Sequence, residues 1–350
     1  MDIKVLGSGC SKCRLTIEMI ERVAKASGVD VQITKIEDPQ EIKRLGVKAT
    51  PAVMVDGRIV HSGGLPSHEA VKAWLMPQPL AFLQHPSKHL FFTGKGGVGK
   101  SSLTTNLAIA VAKQGYSVGI LDADVYGHSI PRQLGLIGQR PTAIDDMFIP
   151  LENYGVKCVS MEMFKPDRAE AVAYRGPILH KVLSQLLTDA FWGDLDFLFL
   201  DLPPGTGDLA ISLGQLIPAS ELIVVTTPQV AAAEVAERSG RIAHQLKQQI
   251  VGVIENMSAF PCPKCGEKIE LFGNGGGEAT AVRLSQLVGA DVPVLGHIPF
   301  SPSLRNGGDE GAPVVISAES DPAAKAINEI AVNLTQRKRS LVGVPLKLNT

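Results

Sequence analysis

The segment that most constrains this chain is Gly94-Lys95-Gly96-Gly97-Val98-Gly99-Lys100-Ser101, with Ser102 directly behind it. An apolar run (Leu90, Phe91, Phe92) precedes it and reads as a strand, while Leu103, Leu107, Ala108 and Val111 follow at helical spacing. Strand, glycine loop and helix in that order form a phosphate-binding loop. The glycines let successive backbone N–H groups converge on phosphate oxygens, and the helix N-terminus adds its positive dipole. Lys100 is then placed to reach the β- and γ-phosphates, and the Ser101 hydroxyl to ligate Mg²⁺. The expected ligand is a nucleoside triphosphate.

The 350 residues leave room for more than one domain. From Lys88 onward, short apolar strands (Ser117–Leu121, Leu195–Leu200, Leu222–Thr226, Ile250–Ile254, Val294–Leu295) alternate with helical stretches. That alternation predicts an α/β domain over residues 88–340, a mostly parallel sheet with helices on both faces, followed by a tail, 341–350. Residues 1–76 read as a smaller unit in the order β-α-β-α-β-β-α. Its strands are expected at Ile3–Leu6, Val29–Ile36, Val53–Val55 and Arg58–His61, with a turn at Asp56-Gly57. Its helices are expected from Cys10 to about Ala26, over Pro39–Leu45 and from Ser67 to Leu75. Pro77, Pro79 and Pro86 mark residues 77–87 as a semi-rigid linker.

Two further strand ends carry carboxylates. Asp122-Ala123-Asp124 closes one strand and Asp201 another, the latter followed by the constrained loop Pro203-Pro204-Gly205-Thr206-Gly207-Asp208. In-line attack on a γ-phosphate needs a positioned water and Mg²⁺, and strand-end carboxylates can orient either. Asp201 is expected to hold a Mg²⁺-bound water.

Four of the five cysteines form two C-x-x-C pairs, a usage that suits redox or metal chemistry better than a disulfide scaffold. Cys10 and Cys13 open a helix, so the dipole lowers the pKa of the first thiol: Cys10 is the expected nucleophile and Cys13 the resolving thiol, with Lys12 adding positive charge. A metal or cluster-delivery role is the alternative for this pair. Cys262-Pro263-Lys264-Cys265-Gly266 has the spacing of a metal knuckle, yet two thiolates cannot complete a four-cysteine site. Symmetry supplies the rest if two chains each contribute a pair. Zn²⁺ fits four thiolates as well, and an inert or disulfide-bonded pair is the third reading. Cys158, between apolar neighbours, reads as a core residue.

Residues 1–76 resemble thioredoxin. The likeness rests on the C-x-x-C at a strand-to-helix junction and on Thr50-Pro51, expected as a cis peptide facing it; Gly7-Ser8-Gly9-Cys10 is similar to the small redox-active disulfide branch. In residues 88–335, Asp122-Ala-Asp-Val-Tyr-Gly-His-Ser-Ile-Pro131, Arg175-Gly-Pro177, Trp192-Gly-Asp-Leu-Asp196 and Asp201-Leu-Pro-Pro-Gly-Thr-Gly-Asp208 resemble the Mrp/ApbC family, iron–sulfur carrier ATPases of the MinD/ParA class. The resemblance implies an ATP-binding, slowly hydrolysing homodimer. Lys95 would cross to the partner's nucleotide, Asp124 would activate water, Asp122 would support Mg²⁺ and switch geometry, and Asn256 would hydrogen-bond adenine. It also implies a [4Fe–4S] cluster bridging two copies at Cys262 and Cys265, handed on to apo-proteins. Two positions depart from the family pattern: His128 where proline is usual, and Ser102 where threonine is usual.

A net charge of −1 gives no electrostatic case for nucleic acid. No window approaches the ~20 apolar residues of a membrane span, and Arg337-Lys338-Arg339 reads as part of a solvated tail. A cytoplasmic protein with a thiol reductant as partner is expected. The rivals are a MinD/ParA-like positioning switch, which has no use for Cys262 and Cys265, and a thiol oxidoreductase with a regulatory ATPase platform.

Overall fold

The computed structural model describes every residue except 1, 28–29, 56, 76–86, 126, 145–146, 166–175, 206–207, 263 and 338–350. The expected linker (bar Ser87), the Asp56 turn position, Arg175 and the tail therefore lie outside the described residues. Contacts divide the chain into two compact units, 1–79 and 80–350.

The first unit contains β1 (Asp2–Leu6), α1 (Ser11–Ser27), β2 (Gln32–Ile36), α2 (Pro39–Arg44), β3 (Ala52–Val55), β4 (Arg58–Ser62) and α3 (His68–Leu75). The sheet runs β2-β1-β3-β4, with β1 parallel to β2 and the other pairs antiparallel. Successive side chains of β1 alternate faces, so Ile3 and Val5 pack with Ile20, Val53, Val71 and Leu75, while Leu6 packs with Ile36 and Ala52 on the other side. Strand β2 begins later than the sequence suggests. Its ladder with β1 starts where Gln32 pairs with Asp2, and the expected start at Val29 lies outside the described residues. Helix α2 starts where Asp38 caps it, accepting from Gln40 N at 2.9 Å, with Pro39 in the first turn.

The second unit contains β5 (Lys88–Thr93), α4 (Lys100–Ala112), β6 (Val118–Asp122), α5 (Ile130–Gln133), β7 (Thr142–Ile144), β8 (Met147–Ile149), β9 (Leu151–Asn153) and β10 (Val156–Ser160). It continues with α6 (Gly176–Thr188), β11 (Phe197–Asp201), α7 (Asp208–Leu216), β12 (Glu221–Thr226), α8 (Val230–Gln245), β13 (Gln249–Asn256), β14 (Phe260–Pro261) and β15 (Lys268–Ile269). Last come α9 (Gly276–Val288), β16 (Val294–Ile298), α10 (Pro302–Glu310), α11 (Val314–Ser317) and α12 (Pro322–Gln336). Eight strands form one sheet in the order β16-β13-β12-β5-β11-β6-β10-β9, parallel throughout except for β9 at the edge.

The two-residue period of the strands sorts the core. Leu90, Phe92, Phe197 and Phe199 enter one layer with α4 and α12, and Phe91, Leu198 and Leu200 enter the opposite layer with α6 and α7. Helix α4 is buried from Leu103 through Val111 on all sides, which explains why its sequence shows little amphipathic contrast. Strand β16 extends to Ile298, beyond the expected Leu295, because its ladder with β13 continues through Asn256. The hairpin β7–β8 and strands β9 and β10 lacked a sequence signal long enough to be placed.

Candidate functional site

Strand order assembles the nucleotide site. β5 lies between β11 and β12, and the loop it feeds sits at the point where connections leave in both directions, the usual position for a ligand in such sheets. Register then aligns the carboxylates: Asp201 at the end of β11 pairs with Phe92 of β5 on one side and with Asp122 of β6 on the other. Three strand ends, far apart in sequence, thus meet at one edge.

The loop requires its glycines. Gly94 has φ 153°, and a Cβ there would lie 2.2 Å from Val225 O. Gly99, at φ 86°, caps α4, and a Cβ there would lie 2.4 Å from Asn256 Nδ2. Asn256 is 3% exposed and braces the loop from beneath, donating to Val98 O at 2.9 Å, while its Oδ1 finds no hydrogen-bond partner among the described residues. Lys100 is buried, its Nζ bonded to Lys95 O at 3.2 Å. The Lys95 side chain is exposed, and Ser101 and Ser102 are half-buried.

Burial sets the electrostatics. It pushes the Asp201 carboxyl up to about 6, against hydrogen bonding from Ser101 and Thr104 and the charge of Lys100. Asp122 is pushed well above the usual carboxylate range by burial and by the charges of Asp201 and Asp124. Lys100 is lowered by burial, with Asp201 and Asp124 pulling the other way. Two buried carboxylates that resist ionisation beside one lysine form a site short of positive charge. That donor set, Ser101 and Asp201 above all, fits a hard divalent cation.

The loop 122–130 folds around Asp122. The carboxylate accepts from Asp124 N at 3.2 Å and Ile130 N at 3.3 Å, and Ser160 Oγ donates to it at 3.2 Å. Asp124 is half-buried and accepts Gly127 N–H at 2.9 Å. On the other side of the phosphate loop, Gly205 N–H donates to Gly94 O at 3.4 Å and a Cβ on Gly96 would touch Pro204 at 3.6 Å. Thr206 and Gly207 lie outside the described residues.

Cys262 and Cys265 lie between the paired strands β14 and β15, where Phe260 faces Ile269 and Pro261 faces Lys268. Cys262 N–H donates to Glu267 O, and Gly266 N–H returns to Cys262 O, each at 2.8 Å; Gly266 takes φ 76° to allow it. Cys262 is half-buried and Cys265 exposed. Hydrogen bonds from the Cys265 and Lys264 amides, then the Cys265 thiol, lower the Cys262 pKa.

In the first unit Cys10 is exposed and Cys13 is 4% exposed, their sulfurs 3.6 Å apart. The Cys13 amide leads the groups that lower Cys10, whereas burial raises Cys13. The Thr50–Pro51 peptide is cis. A Cβ on Gly7 would lie 2.5 Å from Cys13 Sγ, 3.5 Å from Thr50 and 3.7 Å from Pro51, so the proline turn faces the pair. Cys158 is fully buried, its thiol pushed well up by burial.

Sequence reasoning missed one cluster. Glu255, buried on β13, accepts Gly277 N–H at 2.6 Å and faces His297 Nδ1 at 3.1 Å, while Glu278 stands 3.1 Å from His297 Nε2. Glu278 follows Glu255 by 23 positions and His297 follows Glu278 by 19, and only the pairing of β13 with β16 and the placement of α9 bring them together.

Fold and site together define a P-loop NTPase with a thiol hairpin, preceded by a second thiol pair on a separate unit. The profile of the ParA family, described as NUBPL iron-transfer P-loop NTPase, matches residues 87–335, and the chain belongs to that family. A thioredoxin domain profile matches residues 1–76. An iron–sulfur cluster carrier protein of Mycobacterium leprae is 53% identical over 257 residues, covering 73% of this chain and 66% of the relative, so the chain spans about two thirds of that protein's length. A nucleotide-binding protein from Archaeoglobus fulgidus, solved with ADP, superposes with TM-score 0.57 at 33% identity over 69% of this chain and 90% of the other. The cell-division ATPase MinD of Pyrococcus furiosus shares the fold, with TM-score 0.52 at 21% identity over 71% of this chain and 99% of its own. Among the described residues no helix is long and apolar enough to cross a membrane.

Proposed function

We propose that the protein is an ATP-driven carrier that holds a [4Fe–4S] cluster between two copies of itself and passes it to apo-proteins. The observation that carries this reading is the hairpin 260–269: two thiolates, one exposed and one half-buried, in the unit that carries the phosphate loop, and two ligands short of a closed site. A second copy supplies the missing pair. Transfer is ligand exchange, with thiolates of the client displacing those of Cys262 and Cys265 from iron. Zn²⁺ is the competing occupant of the same four thiolates.

ATP would lie over residues 94–102, with Lys100 at the β- and γ-phosphates and the exposed Lys95 reaching the partner copy's nucleotide. Asn256, braced on Val98, would meet adenine through its remaining acceptor. Ser101 and Asp201 would hold Mg²⁺, which offsets phosphate charge. Asp124 takes a proton from water as its oxygen attacks the γ-phosphorus and the bond to the bridging oxygen breaks, leaving ADP and phosphate; Asp122 fixes the loop that presents Asp124.

The first unit serves as a thiol reductant. Cys10 thiolate attacks a disulfide in a client or in the Cys262–Cys265 pair, Cys13 displaces the mixed disulfide, and two electrons pass to the target. An external dithiol then reduces the Cys10–Cys13 disulfide.

The test is anaerobic reconstitution with iron and sulfide, wild type beside a Cys262→Ser/Cys265→Ser variant, with iron and zinc counted per chain. About two irons per chain in a dimer, lost in the variant, is the expected result for a shared four-iron cluster. Equal iron in both proteins, or zinc alone, overturns it.

A further inference from the structure

His128 is the residue of the 122–130 loop that the nucleotide site leaves unexplained. Its side chain is 16% exposed and sits between two charged groups of one neighbouring turn: Nδ1 faces Glu162 Oε2 at 3.5 Å and Nε2 meets Lys165 Nζ at 3.2 Å. A lysine Nζ donates, so Nε2 must accept and the ring proton lies on Nδ1, toward Glu162. The ring is therefore held in one tautomer by two partners of opposite sign.

That turn is itself tied to the nucleotide site. Ser160 Oγ, fully buried, donates to Asp122 Oδ2 at 3.2 Å and accepts Glu162 N–H at 3.3 Å. The segment 160–165 thus grips the loop at its base through Asp122 and at its crown through His128. Between the two grips lies Asp124. Its Oδ1 accepts the N–H of Gly127, the residue bonded to His128, and a Cβ on Gly127 would stand 3.0 Å from its Oδ2. The carboxylate rests against Gly127, and the position of Gly127 is set by the ring next to it.

We propose that His128 is a positioning residue for hydrolysis: anchored by Glu162 and Lys165, it fixes the Gly127 amide and so the direction of the Asp124 carboxylate. The inference rests on the reading of Asp124 as the group that takes the proton from water. Misaim of that carboxylate slows the chemical step and leaves ATP binding, made elsewhere by residues 94–102, nearly untouched.

The experiment is steady-state Mg²⁺-ATP hydrolysis by the full chain, with melting temperatures measured in parallel. His128→Ala is expected to lower kcat about tenfold while KM for ATP stays within about twofold. His128→Gln, whose amide both donates and accepts, recovers most of the loss. Lys165→Met lowers kcat similarly, and the double variant His128→Ala/Lys165→Met is no slower than His128→Ala alone, because the two act through one contact. Asp124→Asn separates the levels. If it leaves kcat unchanged, the reading of Asp124 falls and this inference with it. If Asp124→Asn abolishes turnover but His128→Ala keeps wild-type kcat, or lowers it only in step with the melting temperature and without rescue by glutamine, the inference alone is overturned.

Discussion

The two cysteine pairs of this chain share more than spacing. Both read C-x-Lys-C, and in both the first thiol is lowered mainly by amides of the residues that follow it: Cys13 and Lys12 for Cys10, Cys265 and Lys264 for Cys262. What separates them is the destination of the second sulfur. α1 turns Cys13 inward, to 4% exposure beside Gly7 and Pro51, and burial raises its pKa. The hairpin between β14 and β15 keeps Cys265 exposed beside a half-buried Cys262. A helix start divides a pair into an attacking thiol and a protected one, which suits two-step thiol–disulfide exchange. A hairpin tip offers both sulfurs to one external centre, which suits chelation. Identical spacing is thus held in two geometries, and the two chemistries proposed for the pairs follow from the backbone beneath each.

The most direct way to break that contrast is differential alkylation of the reduced, metal-free chain at neutral pH, read by mass spectrometry of the four peptides. Cys10 is expected to react at least about 30-fold faster than Cys13, whereas Cys262 and Cys265 differ by less than roughly tenfold. Equal rates within the first pair would remove the division of labour. A protected Cys265 would make the hairpin a second redox site rather than a chelator.

How much of this was legible before the structure differs from feature to feature. The phosphate loop was, because strand, glycines, Lys100 and helix are contiguous and the chemistry is local. Asp122 and Asp201 were legible as strand ends, but their pairing across β6 and β11 is a matter of strand order, which no local pattern states. The brace from Asn256 to Val98 spans 158 positions and depends on what lies beneath Gly99. The Glu255–His297–Glu278 cluster is invisible for the same reason. The division of roles between Cys10 and Cys13 is legible from a C-x-x-C that opens a helix, whereas the burial of Cys13 and the strands that flank Cys262 and Cys265 depend on the fold. β9 and β10 escaped because they span only three and five residues on either side of the Tyr154-Gly155 turn, too few for an apolar period to show.

A smaller effect sharpens the chelating side. Gly266 holds φ 76°, and a Cβ there would meet nothing within 4 Å, so substitution costs backbone strain without a clash. Gly266→Ala is expected to cost about 1–2 kcal/mol of hairpin geometry, and so to weaken retention of a reconstituted cluster by about tenfold against a chelator challenge. The same variant should leave Cys10 alkylation unaltered, since that pair belongs to the other unit. Unchanged retention would mean that the tight turn does not preorganise the thiolates.

The smallest expected effect concerns the lysines. A positive side chain between two cysteines invites the idea that its charge depresses the first thiol, and the sequence alone suggests as much for Lys12. The structure assigns the lowering of Cys10 to the Cys13 amide first, then the Cys13 thiol and the Lys12 amide; the Lys12 ammonium is not among the causes. A depressed pKa means that the Cys10 thiolate persists below the pH at which an ordinary thiol is protonated, and its reactivity is lost as pH falls through that depressed value. Lys12→Gln and Lys264→Gln keep the amides and delete the charges. In each variant the pH midpoint for alkylation of the first cysteine should stay where it is in the wild type at physiological ionic strength, where an exposed charge is screened. An upward move of the Cys10 midpoint in Lys12→Gln, absent from Cys262 in Lys264→Gln, would show that the two pairs differ in their first sulfur as well as their second, and that charge rather than backbone tunes the redox site.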